Sequence, residues 1–230
     1  MTISITIDVD WAPDVLIQSI VDVLYKENIK ATFFITHETK VDYKNFELAA
    51  HPNFLTQDSP ESIISNIKSI VPGAKGIRSH SLVSSARLQD LFVKNGFTYS
   101  SNFFLDSKDY IEPSPYLGIL EIPIYFIDNL FVDRYQNTKE KFNFSSIDLK
   151  SPGVKSFLFH PTNIFLNLEN MERHELAKPI WKDANKLSEI RNTEAYGVEN
   201  IFRELIQYIK NNKVPTYTLN EIAQQYKHLV

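Results

Sequence analysis

Two carboxylates, Asp8 and Asp10, stand where the β-branched run Thr2-Ile3-Ser4-Ile5-Thr6-Ile7 ends. Imidazoles recur in the same kind of place. His37 closes the run from Ala31, His51 the run from Phe46, His80 the run from Gly76 and His160 the run from Ser156, so four of the six histidines end strand-like segments. In an α/β barrel the C-terminal ends of the strands share one face, which gathers residues remote in sequence into one pocket. One carboxylate with two imidazoles can hold a divalent metal and leave positions open for chemistry. The chain contains no cysteine, so His, Asp and Glu are its strong metal ligands and a thiol nucleophile is excluded.

If the turn after the first strand aims Asp10 inward, His51 and His80 are its natural companions as ligands. Asp8 shares the strand face of Asp10 by the period of two and suits a general base. Arg78, two residues before His80 and always charged, suits an orienter that keeps Asp8 ionised. His160 suits the general acid for a leaving amine, because imidazole titrates near neutral pH. Trp11, Asn53 and Phe54 can line a sugar subsite, and His37 falls on the same face as a further substrate-binding candidate. His174, His228 and the cluster Lys139-Glu140-Lys141 read as solvated.

These residues need alternating strands and helices to position them. Val15, Leu16, Ile20, Val21, Val23 and Leu24 recur at helical spacing after Pro13, and Asn28-Ile29-Lys30 leads into a second strand, giving a right-handed βαβ unit. A third strand is expected over Phe46–His51, and a helix over Ser59–Ile70 with Ser59 as N-cap. A fourth strand follows over Gly76–Arg78, a helix over Ser84–Lys94 stopped by Asn95-Gly96, and a fifth strand over Phe97–Tyr99. Leu105–Lys150 reads as a long loop with an irregular strand over Leu120–Phe126. Lys155–Phe159 is a buried strand, and Asn167–Glu194 a polar excursion with one helical piece. Val198–Asn211 is an amphipathic helix, Val214–Thr218 a last strand and Leu219–Tyr226 a terminal helix. The alternation fits α/β architecture in one domain, residues 1–230.

At 230 residues and 43% hydrophobic content the chain can bury a substantial core. A formal net charge of −4 gives no electrostatic reason to expect nucleic acid or an anionic membrane as partner. No apolar stretch approaches the roughly 20 residues of a membrane-spanning helix, and no basic segment with an apolar h-region precedes the first strand. A cytoplasmic location is the resulting expectation. Oligomeric state is not readable.

Taken together, the motifs resemble the polysaccharide deacetylase family, the carbohydrate esterases built on the NodB homology domain. Thr6-Ile7-Asp8-Val9-Asp10 is similar to the family's opening Thr-Phe-Asp-Asp motif in an Asp-x-Asp form, and Ala31-Thr32-Phe33-Phe34 to the Ala-Thr-Phe-Phe after it. Glu47-Leu48-Ala49-Ala50-His51 resembles the Glu-Ile-Gly-Asn-His strand, Gly76-Ile77-Arg78 the arginine motif, Phe157-Leu158-Phe159-His160 the late Leu-x-Leu-His, and Val214–Leu219 the usual ending. Asp-Val-Asp-Trp, His-Pro-Asn-Phe and Arg-Ser-His-Ser resemble in particular its divergent WbmS-like branch.

The resemblance implies a distorted (β/α) barrel with Asp8 as base, Asp10 and His51 as metal ligands, Arg78 as orienter and His160 as acid. It further implies a divalent ion, zinc first and cobalt, nickel or iron as alternatives, and an N-acylated amino sugar or polysaccharide precursor as substrate. The family's second metal histidine would fall on Leu55, which cannot ligate. His80 is the replacement favoured here. Glu47 is the competing third ligand, ranked lower because four residues of a strand span roughly 13 Å and Pro52 disfavours a helical turn at His51. Two other functions stay open at the sequence level: hydrolysis of another non-peptide C–N bond, such as a formamide or ureide, and a catalytically inactive carbohydrate-binding barrel.

Overall fold

The first strand alternates isoleucine with Ser4, Thr6 and Asp8, which on a half-exposed sheet would turn the polar face to water. In the computed structural model, which describes residues 1–105, 110–136, 138 and 143–230, both faces of that strand are buried. Ile3, Ile5 and Ile7 pack in a cluster with Ile17, Val21, Phe202 and Leu205 of two helices, while Ser4, Thr6 and Asp8 are buried too. The polar face is thus the inside of a barrel.

The strands are β1 (Thr2–Asp8), β2 (Ala31–Ile35), β3 (Glu47–Ala50), β4 (Gly76–Ile77), β5 (Tyr99–Ser100), β6 (Ser114–Tyr116), β7 (Ile119–Glu121), β8 (Phe126–Ile127) and β9 (Val154–Phe159). They form one sheet in the order β6-β7-β5-β4-β3-β2-β1-β9-β8, parallel throughout except for the β6–β7 hairpin. The sheet also curls onto itself. Leu105 donates its N–H to Ile124 O at 2.9 Å and Ile124 to Phe103 O at 2.7 Å, while Tyr125 donates to Ser156 O at 2.9 Å. The strip holding β7 and β8 therefore borders the β5 side with one end and β9 with the other, giving the distorted (β/α) barrel expected from sequence.

Helices α1 (Asp14–Lys26), α2 (Pro60–Ile70), α3 (Ala86–Lys94), α4 (Asp128–Gln136), α5 (Pro161–Leu166), α6 (Met171–Ala177), α7 (Ala184–Glu189), α8 (Val198–Asn211) and α9 (Leu219–Tyr226) complete the described elements. Ser59 caps α2 by accepting the Ser62 N–H, as its place before a proline suggests. Three expectations need correction. Residues 105–150 are not one long loop but also hold β6, β7, β8 and α4, whose buried Phe131 and Val132 are adjacent and so leave a weak helical period. The excursion over 167–194 carries two helices, α6 and α7. Val214–Thr218 makes only a single bridge, Thr216 to Ile3, with Tyr217 donating to Ile3 O at 3.1 Å. Lys139-Glu140-Lys141 lies outside the described residues. Among the described residues no helix is long and apolar enough to cross a membrane.

Register then decides where chemistry meets. Asp8 is level with Phe34, Ile35 with Ala50, Ala50 with Ile77, and Ile7 with Phe159. His51, Arg78 and His160 are each the first residue beyond those strand ends, so all reach one mouth of the barrel. At the other end, Gly76 lies flat against Tyr99, where a Cβ would fall 1.9 Å from the ring carbon Cζ. Tyr99 cannot swing away, because its hydroxyl donates to Glu47 Oε1 at 2.7 Å. Gly76→Ala is expected to cost about 3 kcal/mol of stability in urea titration, as overpacked cores do.

Candidate active site

Two turns build the mouth. After β1 the chain turns sharply, with Ala12 donating to Val9 O at 2.8 Å, and both Asp10 (φ 39°) and Trp11 (φ 56°) sit in the left-handed region. For a tryptophan this is strained, and such strain persists only where surroundings hold it. Here Trp11 N–H donates to Thr36 Oγ1 at 3.2 Å, and the indole of Trp181 donates to Asp10 O at 2.7 Å. A second left-handed pair, Ser81 (φ 56°) and Leu82 (φ 55°), follows His80. The first pair contains the candidate metal ligand Asp10, the second follows the candidate ligand His80, and both line the same cavity of about 600 Å³.

Asp10, His51 and His80 each offer one possible ligand atom, the three lying within 4.8 Å of one another. His51 Nε2 is 3.1 Å from Asp10 Oδ1 and His80 Nδ1 is 3.3 Å from the same oxygen. His51 Nδ1 lies 2.7 Å from Arg78 O, an acceptor only, so this nitrogen carries the proton. A neutral His51 then presents a lone pair at Nε2 toward Asp10 and toward Asp8 Oδ2 at 3.5 Å. A lone pair facing carboxylates needs a proton or a metal cation between them. Burial opposes charge on Asp10, yet hydrogen bonds from His51 and His80 hold its carboxyl well below the usual range. Burial likewise disfavours a charged His51, but Asp8 and Asp10 push it upward on balance. The donor set and its electrostatics fit a divalent metal.

Glu47 does not join this cluster. Its carboxylate accepts from Tyr99, Thr32 Oγ1 at 2.7 Å and the N–H of Asn220 at 3.0 Å, at the opposite end of β3. Leu55 is exposed.

Asp8 is buried beside the triangle. Arg78, fully buried, donates Nη1 to Asp8 Oδ1 at 2.7 Å and to Thr6 Oγ1 at 2.9 Å. Its other nitrogens bind Ser101 O at 2.9 Å and Ser101 Oγ at 2.8 Å, and its plane lies 4.0 Å over Phe34. One carboxylate oxygen of Asp8 is thereby fixed, and the other faces the cavity side.

On the far side His160 places Nε2 3.5 Å from Asp10 Oδ2. Asp128, the first residue of α4, accepts from His160 twice: from Nδ1 at 2.7 Å and from the backbone N–H at 2.8 Å. Asn163 Nδ2 adds a third bond to this carboxylate at 3.1 Å. Burial pulls His160 down, but Asp128, Asp10 and Asp8 outweigh it and raise the imidazole to about 10. Asp128 was not singled out from sequence, although it closes the apolar run Ile122–Ile127 as Asp8 closes β1.

A raised imidazole stabilises the fold while it is protonated. That contribution is complete below the ordinary value of 6.5 and lost as pH rises through about 10. Metal-free protein is therefore expected to lose melting temperature over this interval. Asp128→Asn should melt lower at pH 6 and show a shallower decline, read by thermal denaturation in a chelator.

The remaining candidates divide. Trp11 lines the cavity and meets His80 edge-on at 5.1 Å between ring centroids. Asn53 and His37 are not among its lining residues. Asn53 Oδ1 instead accepts the Leu55 N–H at 2.9 Å. His37 lines a separate surface cavity, with Nδ1 2.8 Å from Thr36 Oγ1 and its pKa lowered by burial. Phe54 packs on Phe92 at 6.0 Å. His174, expected to be solvated, lines the active cavity with Lys178, Trp181 and Lys182, all from the excursion read as polar with one helical piece.

A family model describing WbmS-like polysaccharide deacetylases matches residues 5–178. The chain belongs to this family. Among solved structures, the WbmS-like chain is similar to a protein of Bordetella bronchiseptica described as a polysaccharide deacetylase involved in O-antigen biosynthesis, at 24% identity and TM-score 0.78, with 90% of each chain covered. It also shares its fold with a family 4 acetyl xylan esterase from Clostridium thermocellum in complex with a cobalt ion, at 15% identity and TM-score 0.50, covering 98% of this chain and 91% of that one. A 4-alpha-glucanotransferase from Thermococcus litoralis matches at 15% identity and TM-score 0.56 over 98% of this chain but 38% of its own. No curated protein matches the chain.

Proposed function

We propose that this chain is a metal-dependent hydrolase that removes an N-acyl group, acetyl first of all, from an amino sugar used in bacterial surface polysaccharide assembly. One catalytic domain over residues 1–230 would act in the cytoplasm on precursors rather than on finished polymer. The observation that carries this reading is that Asp8 lies 3.5 Å from His51 and His160 lies 3.5 Å from Asp10, so that a candidate base and a candidate acid both border the Asp10-His51-His80 triangle. Two imidazoles and a carboxylate suit zinc, with cobalt, nickel or iron as alternatives, and the cobalt ion in the acetyl xylan esterase supports a divalent metal on this fold.

A divalent ion held by these three residues supplies Lewis acidity toward an acyl carbonyl and makes a water more acidic. Asp8 Oδ2 takes the proton of the attacking water, whose oxygen bonds to the acyl carbon. Arg78 occupies Oδ1, so the accepting oxygen is defined. The carbon–nitrogen bond then breaks, its electron pair stays on nitrogen, and His160 Nε2 delivers the proton that makes the amine a leaving group. Asp128 fixes the ring by holding Nδ1, which leaves Nε2 as the proton carrier toward the cavity. The products are a carboxylic acid and a free amino sugar.

The direct test is release of acetate and a primary amine from N-acetylated hexosamines by zinc-loaded protein. Loss of both on dialysis against chelator, and recovery with added zinc, is expected. Stoichiometric metal with no acetate from any such sugar would overturn the reading.

A further inference from the structure

One wall of the cavity differs in charge from the rest of the molecule. His174, Lys178, Trp181 and Lys182 lie on α6 and the turns after it, and all four line the cavity. The wall is tied to the reacting centre, since Trp181 donates its indole N–H to the backbone carbonyl of Asp10. His174 packs edge-on against Trp181 at 5.6 Å between ring centroids, and burial lowers its pKa, so it lines the cavity as a neutral imidazole. Its Nδ1 is buried without a hydrogen-bond partner among the described residues.

The lysines sharpen the point. Asp8 is bonded to Arg78, Asp10 belongs to the metal triangle and His160 is paired with Asp128, so the formal charges left among the lining residues are the two ammonium groups. Lys178 shares its charge with Glu175 at 2.6 Å, whereas Lys182 makes no hydrogen bond or ion pair among the described residues. In a chain of net charge −4 this local excess is not compositional. The lining also includes Leu82, Ile127, Leu130 and Leu158, which do not compete for an anion.

We infer that this wall reads an anionic substituent on the sugar, a phosphate or a carboxylate, held by Lys178 and Lys182. This deepens the deacylase reading and rests on it for the nature of the ring. It excludes a neutral glycan as the preferred substrate. A sugar phosphate and a uronic acid share the chemistry, and separate probes distinguish them.

The test titrates zinc-loaded protein calorimetrically with N-acetylglucosamine, its 1-phosphate, and N-acetylgalactosaminuronic acid, and follows acetate release in parallel. At least one anionic sugar is expected to bind about tenfold tighter than the neutral one, a margin that shrinks with added salt. In the Lys178→Met, Lys182→Met double variant that margin should fall below about twofold. Preference for the phosphate alone assigns a phosphorylated sugar, and preference for the uronic acid alone assigns a carboxylate. Equal binding of all three, binding of none, or a preference that survives the double substitution overturns the inference. Acetate released equally from neutral and charged sugars removes it while sparing the deacylase reading. Lysine-dependent anion binding without acetate removes the deacylase reading instead.

Discussion

Asp8→Asn is expected to lower acetate release about a thousandfold while the protein keeps its metal. Asparagine retains the shape of the side chain, and its amide oxygen can still accept from Arg78 Nη1, now 2.7 Å from Asp8 Oδ1. The group left facing the cavity is then an NH₂, which cannot take a proton from water. Asp8 is not one of the three converging ligand residues, so metal stoichiometry should stay unchanged. The substitution also leaves a fully buried guanidinium without its counter-ion, a loss of about 3 kcal/mol in stability. Thr6 and Ser101 still bind that guanidinium, so a folded variant is expected, and circular dichroism checks it. A variant with wild-type turnover and full metal content would show that Asp8 is not the base.

His51→Ala and His80→Ala should each weaken metal binding by more than about a hundredfold, read as metal retained after dialysis against a weak chelator. Glu47→Gln is the control, because Glu47 is engaged with Tyr99, Thr32 and Asn220 far from the triangle. Binding to the native state alone also stabilises it, by about 2.7 kcal/mol at a hundredfold excess over the dissociation constant. Added zinc should therefore raise the melting temperature of the parent protein and of Glu47→Gln, and leave both histidine variants nearly unmoved. If His80→Ala keeps its metal and Glu47→Gln loses it, the third ligand has been misassigned. If none of these proteins binds a divalent ion, the inactive carbohydrate-binding barrel becomes the better reading.

Much of the site was legible because strand ends are local. A β-branched run closed by Asp8, or an apolar run closed by His160, announces a residue at a barrel mouth without any knowledge of partners. The same rule, applied to Ile122–Ile127, would have found Asp128, but three prolines and several aromatic residues between positions 105 and 150 masked both this strip and α4. His37 failed for the converse reason. It closes a strand run as His51 does, yet the turn after β2 carries it to Thr36 and a different cavity. A strand end supplies the place, and the loop supplies the direction.

The sequence alone determined the α/β alternation, the pairing of a β-branched strand with Asp8 and Asp10, and the set of groups able to hold a cation, because these depend on short-range periodicity and on residue type, while the distorted barrel followed from the family resemblance. The tertiary structure decided which groups converge. Only the register of β1, β2, β3, β4 and β9 makes Asp10, His51 and His80 neighbours. Only the packing of α4 and the 167–194 excursion puts Asp128 behind His160 and lysines at the rim. Those contacts span tens of residues, and no local pattern encodes the direction in which a long loop returns.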